Sequence, residues 1–140
     1  MKLALPLLVV SFPAASSTQL LAPLKDQDAI YGCSWSASSP EIGPGVVLLA
    51  EADDSRTLMN IGGSDVELAL VDEQGSLARA GDILERTFKA EGIVVKARYR
   101  VTWTCPEDDE SCEVTRFDVS FDVTSGGRRQ TAKATGDFGC

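Results

Sequence analysis

The sequence predicts an all-β domain, a small antiparallel sandwich or barrel-like meander of about seven or eight short strands with two disulfides. Three observations predict it. Long stretches alternate apolar and polar residues with the period of two that a half-buried strand requires. Glycine pairs separate several of these stretches, as tight hairpin turns demand. Four cysteines, an even number, follow an apolar leader, which favours a disulfide framework.

The first 19 residues have the layout of a signal peptide. Lys2 supplies the positive charge, Leu3 to Val10 an apolar core, and Ala14 to Ser17 the small residues that a signal peptidase accepts. We expect cleavage at about residues 15–19, which leaves 20–140 as a single disulfide-stapled β domain. The apolar core is shorter than the roughly 20 residues of a membrane span, and no later segment is long enough. We therefore expect a periplasmic or secreted protein without a membrane span.

The first half of the mature chain reads as a lead-in followed by short strands. Residues 20–30 show little periodicity. Two prolines and two glycines make residues 38–45 a loop, and the continuous apolar run from Val46 to Ala50 suits a short buried strand. The other predicted elements of this half are a strand at 31–37, a hairpin of 56–61 and 64–71 around Gly62-Gly63, and a turn at 72–76.

Residues 82–91 are compatible with a helix or with a strand. Asp82 and Glu85 have the spacing of a helix capping box, and Gly92 could end a short helix. Gly81 and Gly92 could equally bound a strand. We favour a strand, because a tight turn at Gly92 would lead directly into the pronounced strand that follows.

The strongest hairpin signal runs from Ile93 to Thr124. Apolar positions alternate on both arms, and one register pairs Val101 with Phe117 while placing Arg100 opposite Asp118. If Cys105 faces Cys112, this register needs one extra residue on the second arm. We therefore predict a β-bulge at Thr115-Arg116.

A last strand is expected from Arg128 to Thr135, after a turn at Ser125-Gly126-Gly127. Arg128, Arg129 and Lys133 on this strand are typical of a protected sheet edge.

The predicted disulfides are Cys105–Cys112 and Cys33–Cys140. The hairpin brings the first pair together, and the second pair then ties the first strand to the last residues. A zinc site built from all four thiolates lacks the close CxxC pairs that such sites use.

The chain has no histidine, which excludes a Ser-His-Asp or Cys-His nucleophile and histidine-ligated zinc. No phosphate-binding loop motif is present. We therefore predict a protein that is not an enzyme, with no catalytic residue, metal or cofactor. A carboxylate pair of the glycosidase kind remains as an alternative chemistry.

The net charge is −8, which argues against nucleic acid as a partner, because phosphates attract basic surfaces. It permits a basic extracellular protein. No pattern in the sequence predicts the oligomeric state.

The best candidate site is the acidic loop Glu107, Asp108, Asp109 and Glu110, between Cys105 and Cys112. A loop clamped by a disulfide loses less entropy on binding, so it suits insertion into a cleft. The loop and the compartment resemble those of bacterial periplasmic lysozyme inhibitors and of many protease inhibitors. One such family carries a histidine on its loop, which this chain lacks. Calcium binding is a further reading, but the spaced ligands and mid-loop glycine of an EF-hand are absent.

Trp35 and Trp103 could form a ligand platform, but a tryptophan beside a disulfide is more typical of a core, so we expect both inside.

Taken together, these features predict an exported, non-catalytic binding protein, specifically an inhibitor of a basic extracellular hydrolase such as lysozyme. Two alternatives remain: a carboxylate-dependent enzyme or small-ligand carrier, and a structural envelope protein. A filled interior would count against an enzyme or a carrier, because both need a concave pocket.

Overall fold

A computed structural model describes Val9 and residues 19–140, and the predicted signal peptide otherwise lies outside the described residues. Nine β-strands and no helix occupy the described part of the chain. The strands are β1 (Leu21–Ala22), β2 (Ser34–Ser38), β3 (Val46–Glu51), β4 (Thr57–Ile61), β5 (Ser64–Gly75), β6 (Ile83–Ala90), β7 (Ile93–Thr104), β8 (Val114–Ser125) and β9 (Arg128–Gly139).

Strands β2 to β9 form a closed, eight-stranded, up-and-down barrel. Each strand pairs antiparallel with the next in sequence, and β9 closes the barrel by pairing with β2. The prediction of an antiparallel all-β domain is confirmed, in its barrel form. The pairing with β2 covers only residues 135–139 of β9. Arg128, Arg129 and Lys133 lie outside it and have a partner strand, β8, on one side only, so the expectation that they stand on an edge segment is confirmed.

The lead-in segment is part of the fold, although its sequence shows little periodicity. Strand β1 pairs with Ile61 and Asn60 of β4, beyond the point where β3 stops pairing. Leu24 and Ile30 then cover the outward-facing Leu49 and Leu58. Because β3 and β4 are covered on both faces, nearly all their residues are buried. This explains the continuous apolar run of β3.

The barrel interior is filled by large side chains. The Trp35 ring lies 5.3 Å from the Tyr99 ring and 4.6 Å from the Phe138 ring, and Phe117 packs 5.0 Å from Tyr99, all between ring centres. Phe88 is also buried in this core. Aromatic contacts of this kind stabilise a core beyond their buried area. A filled interior counts against the small-ligand carrier, because such a carrier needs an internal pocket.

Residues 82–91 form a strand, as predicted. Strand β6 covers Ile83–Ala90, and the chain turns at Gly92 (φ 70°) into β7. The predicted turn at 72–76 was wrong, because β5 continues to Gly75. Its polar residues from Asp72 onward still pair with β6, after an irregularity at Val71. Polarity alone suggested a turn, but backbone pairing with β6 extends the strand.

The β7–β8 register matches the prediction from Val95–Val123 to Val101–Phe117, and Arg100 faces Asp118. The bulge, however, lies on the other arm. Thr102 is the extra residue, because Trp103 pairs with Arg116. The prediction assumed that Cys105 and Cys112 face each other across the hairpin. Strand β8 begins only at Val114, so the loop is asymmetric and the bulge moves to β7.

The bulge also turns Trp103 outward. Its side chain is 40% exposed, whereas Trp35 is 4% exposed. The expectation that both tryptophans lie in the core is therefore confirmed for Trp35 and wrong for Trp103. The Arg116 guanidinium lies 5.1 Å from the centre of the Trp103 ring on the barrel surface, a cation–π distance.

The two ends of the barrel differ, because connections alternate between them. One end, which we call the turn end, has two-residue turns at Gly62-Gly63, Glu91-Gly92 and Gly126-Gly127, together with the 39–45 loop. The other end carries the connections 52–56, 76–82 and 105–113. Both disulfides, Cys33–Cys140 and Cys105–Cys112, lie at this second end. We call it the disulfide end, and the predicted pairing of the cysteines is confirmed.

Candidate functional site

The predicted acidic loop lies at the disulfide end of the barrel, in the connection between β7 and β8. All four of its acids, Glu107 to Glu110, are exposed. The three connections at this end hold eight acids and two bases. The predicted site residues therefore lie at an end of the barrel whose connections carry an excess of acids.

The loop is held by its own hydrogen bonds as well as by its disulfide. The Asp109 carboxylate accepts hydrogen bonds from the backbone N–H (3.2 Å) and hydroxyl (2.7 Å) of Ser111. The Cys112 N–H donates to the Asp109 carbonyl at 3.2 Å, and the Val114 N–H donates to Cys105 Sγ at 3.2 Å. Asp109 thus shapes the loop, while the side chains of Glu107, Asp108 and Glu110 form no hydrogen bond with any residue that the structure describes.

A depression of about 620 Å³ lies beside the loop. Both disulfides border it, with Glu107 and Glu113 on one side and Arg79 on the other. The Arg79 segment is fixed by Asp82, whose carboxylate accepts hydrogen bonds from the Ser76 hydroxyl and two backbone N–H groups. These bonds hold the pKa of Asp82 below its ordinary value. The depression therefore has ordered walls.

An ion cluster around one buried cation lies below this end of the barrel, and its two carboxylates are partly exposed. Arg86 on β6 is 5% exposed and points inward between Leu84 and Phe88. Its guanidinium makes two hydrogen bonds to the Asp54 carboxylate, at 2.8 and 3.0 Å, and an ion pair with Glu73 at 2.7 Å. Asp54 adopts a positive φ of 61°, an uncommon conformation for a residue other than glycine.

The electrostatics of this cluster favour its charged form. Burial lowers the pKa of Arg86, but the hydrogen bond and charge of Asp54, together with Glu73, outweigh it and hold the pKa above its ordinary value. Burial raises the pKa of Tyr99, which lies close to the cluster. Arg86 and Tyr99 therefore keep their protonated forms at neutral pH, and the two carboxylates are engaged with a cation.

This cluster was not predicted from the sequence. The signal was present: in a strand reading of 82–91, Arg86 occupies the same face as Leu84 and Phe88. A charged residue on an apolar face indicates a buried ion pair. Its partners could not be predicted from local pattern, because Asp54 lies in the connection between β3 and β4 and Glu73 lies on β5.

The described residues contain no group of three cysteines, aspartates or glutamates that could hold a metal ion. No helix within this part of the chain is long and apolar enough to cross a membrane. The two disulfides are compatible with an oxidising compartment.

The fold and site thus define a disulfide-bonded, eight-stranded β-barrel with a strongly acidic end. No protein-family model, curated protein or solved structure matches the chain.

Proposed function

We propose that this protein is an exported, non-catalytic binding protein that uses its disulfide end to capture a basic extracellular protein. The specific partner class that we propose is a basic hydrolase such as lysozyme, which the loop would inhibit. The observation that supports this proposal is the acidic loop held by a disulfide at one end of a closed barrel. Export through a cleaved signal peptide to the periplasm or medium is part of the same proposal.

Electrostatics support a basic partner. Glu107, Asp108 and Glu110 project into water without a partner cation among the described residues, so the field at this end is negative. Such a field steers an oppositely charged protein and raises its association rate. The ordered loop limits the entropy that is lost on binding.

The alternatives have less support. A carboxylate-dependent enzyme would need a pair of carboxylates that can reach a substrate. The pair described above, Asp54 and Glu73, is bound to Arg86 instead. A small-ligand carrier would need an internal pocket, and aromatic side chains fill the barrel. A structural envelope role needs no site, so the charge asymmetry of the barrel gives it no support.

Inhibition of basic lysozymes by the purified mature protein tests the proposal. The loop variant is Glu107→Gln, Asp108→Asn, Glu110→Gln, which keeps Asp109 and its loop contacts. The control removes three exposed acids elsewhere, Glu67→Gln, Asp72→Asn and Glu91→Gln. We expect the loop variant to inhibit at least tenfold more weakly than the wild type and the control. Equal inhibition by all three proteins, or none by the wild type, would reject the lysozyme hypothesis.

A further inference from the structure

A basic groove lies on the outer wall of the barrel, away from the acidic loop. It spans β7, β8 and β9, has a volume of about 460 Å³, and opens to solvent. We call it the β7–β9 groove. Its lining residues are Ser38, Pro40, Arg98, Arg100, Asp118, Val119, Ser120, Lys133, Ala134 and Thr135.

The groove has a positive charge although the protein is acidic. It holds three cations, Arg98, Arg100 and Lys133, against one carboxylate, Asp118. Within residues 19–140, Arg100 and the Lys133 ammonium make no ion pair. Arg98 contacts Glu85 at 3.4 Å, but both side chains are about 60% exposed, so this pair contributes little.

Strand register places the cations around a short hydroxyl side chain. Ser120 on β8 pairs with Arg98 on β7 and with Lys133 on β9. Since neighbouring strands lie about 4.8 Å apart, the Cα atoms of Arg98 and Lys133 are roughly 10 Å apart, and the small Ser120 lies between them. The Glu41 carboxylate binds the Lys133 backbone N–H at 2.9 Å, which fixes β9 without occupying the ammonium group. The gap above Ser120 is therefore open to an anion.

The groove continues along the barrel wall. A second depression of about 770 Å³ shares Arg98, Ser120 and Lys133 with the first and extends past Lys96. Arg100, Arg98 and Lys96 occupy alternate positions of β7, so their Cα atoms follow a line at roughly 6.8 Å intervals. The second depression also holds four carboxylates, those of Glu41, Asp72, Glu85 and Asp122. Glu85 pairs with Arg98, and Asp122 pairs with Arg129. The positive part of the trough is therefore the β7–β9 groove, where three cations at separate positions suit a ligand with several anionic groups better than a single ion.

We propose that the β7–β9 groove binds an anionic polysaccharide, through sulfate, phosphate or carboxylate groups on its sugars. Arginine forks and lysine ammonium groups are the side chains that recognise such groups. Hydroxyls of Ser38, Ser120 and Thr135 line the groove and can hydrogen-bond sugar hydroxyls. No aromatic ring lines the 460 Å³ depression, whereas proteins that bind single-stranded nucleic acid present rings on which bases stack.

Distance separates this groove from the acidic end. Six strand positions separate Arg98 from the end of β7 at Thr104, roughly 20 Å, and four positions separate Arg100 from it, roughly 14 Å. The screening length at physiological salt is about 8 Å. The groove therefore presents its own local field, and the net charge of −8 does not prevent polyanion binding there.

The probe for this proposal is heparin, a sulfated polysaccharide, with a DNA duplex of matched charge and inorganic sulfate in separate arms. The groove variant is Arg100→Gln with Lys133→Gln. The control, Lys25→Gln with Lys89→Gln, removes the same charge elsewhere. We expect heparin to bind the groove variant at least tenfold more weakly than the control, with the dependence of log Kd on log salt reduced by about 2. DNA should bind the wild type at least tenfold more weakly than heparin.

Three results would overturn the proposal: heparin affinities that are equal for the groove variant and the control, DNA binding as tight as heparin binding, or displacement of heparin by an equal concentration of inorganic sulfate. The acidic-loop variant described above should keep its heparin affinity. The proposal for the groove and the proposal for the loop are therefore tested by separate measurements.

Discussion

The Arg86 guanidinium lies 4.3 Å from the centre of the Trp35 ring, inside the barrel. Trp35 comes from the first barrel strand and Arg86 from the fifth, so this contact joins opposite parts of the barrel wall. Asp54 and Glu73 bind the terminal N–H groups of the guanidinium, at its edge. The core below the disulfide end is therefore organised around one buried cation.

Arg86→Ala should destabilise the protein by about 2 kcal/mol, because it removes the charge-assisted hydrogen bonds to Asp54 and the buried stem that packs against Trp35. Arg86→Met, which keeps the volume against Trp35, should cost less. Urea unfolding followed by tryptophan fluorescence measures both. Equal stability of Arg86→Ala and the wild type would contradict a structural role for the cluster.

The two disulfides should contribute unequally to stability. They close loops with sequence separations of 107 and 7 residues. In the loop-entropy model, the Cys33–Cys140 bond contributes about 5 kcal/mol and the Cys105–Cys112 bond about 2.4 kcal/mol. Thermal unfolding of the double alanine variant at each pair checks this order. A larger loss from removal of the short loop would show that native-state contacts, not loop closure, dominate.

The two tryptophans should respond oppositely to truncation. Trp35→Ala removes a buried ring and should cost about 4 kcal/mol, whereas Trp103→Ala should cost less than about 1 kcal/mol, because its ring is on the surface. Fluorescence quenching by iodide offers an independent readout. In the Trp35→Ala variant the remaining tryptophan should be quenched strongly, and in Trp103→Ala weakly.

Asp65 should make stability depend on pH in the acid range. Its carboxylate accepts the N–H groups of Lys25 and Asp26, both at 2.9 Å, and the Asn60 amide at 3.1 Å. Burial raises its pKa, but these bonds outweigh burial and hold the pKa below the ordinary 3.8. Because the folded-state pKa is lowered, the stabilisation is present above pH 3.8 and is lost as the pH falls through the folded value.

Asp65→Asn should therefore cost about 1–2 kcal/mol at pH 7 and progressively less below pH 4. Urea unfolding of both proteins between pH 3 and 7 measures the difference. Asp72→Asn, at an exposed position, serves as the control. A constant difference between wild type and Asp65→Asn across this range would refute the assignment.

Gly136→Ala should weaken barrel closure. Gly136 pairs with Ala37 where β9 meets β2, and a Cβ atom there would stand 1.9 Å from the Ser36 carbonyl oxygen. The backbones would have to separate, which we expect to cost more than about 2 kcal/mol. Amide hydrogen exchange on β2 should accelerate in this variant. Unchanged exchange would show that the seam adapts without loss of pairing.

The sequence predicted features that depend on local pattern. The alternation on β7 and β8 set the pairing of Val95 with Val123, and Gly62-Gly63 marked a tight turn. Features that depend on distant parts of the chain were missed. The coverage of Leu49 by Leu24 and the binding of Arg86 by Asp54 join segments that no periodicity connects. The bulge at Thr102 was placed on the wrong arm because the geometry of the disulfide loop was assumed to be symmetric.

The acidic loop was found from sequence because four like charges between two cysteines stand out. The β7–β9 groove was not found. Its cations come from two strands, and only the register that brings Arg98, Ser120 and Lys133 side by side makes them a cluster.

The pairing of β9 with β2 has a consequence for biogenesis. Strand β2 pairs with β3 on one side and with the last strand on the other, so the barrel cannot close until residues up to about 139 have been synthesised. Until then, β2 exposes one unsatisfied backbone edge that could recruit other nascent polypeptides. The chain should therefore depend on folding factors mainly between the synthesis of β2 and the synthesis of β9. The disulfide between Cys33 and Cys140 should form late, when β9 pairs with β2 and the barrel closes.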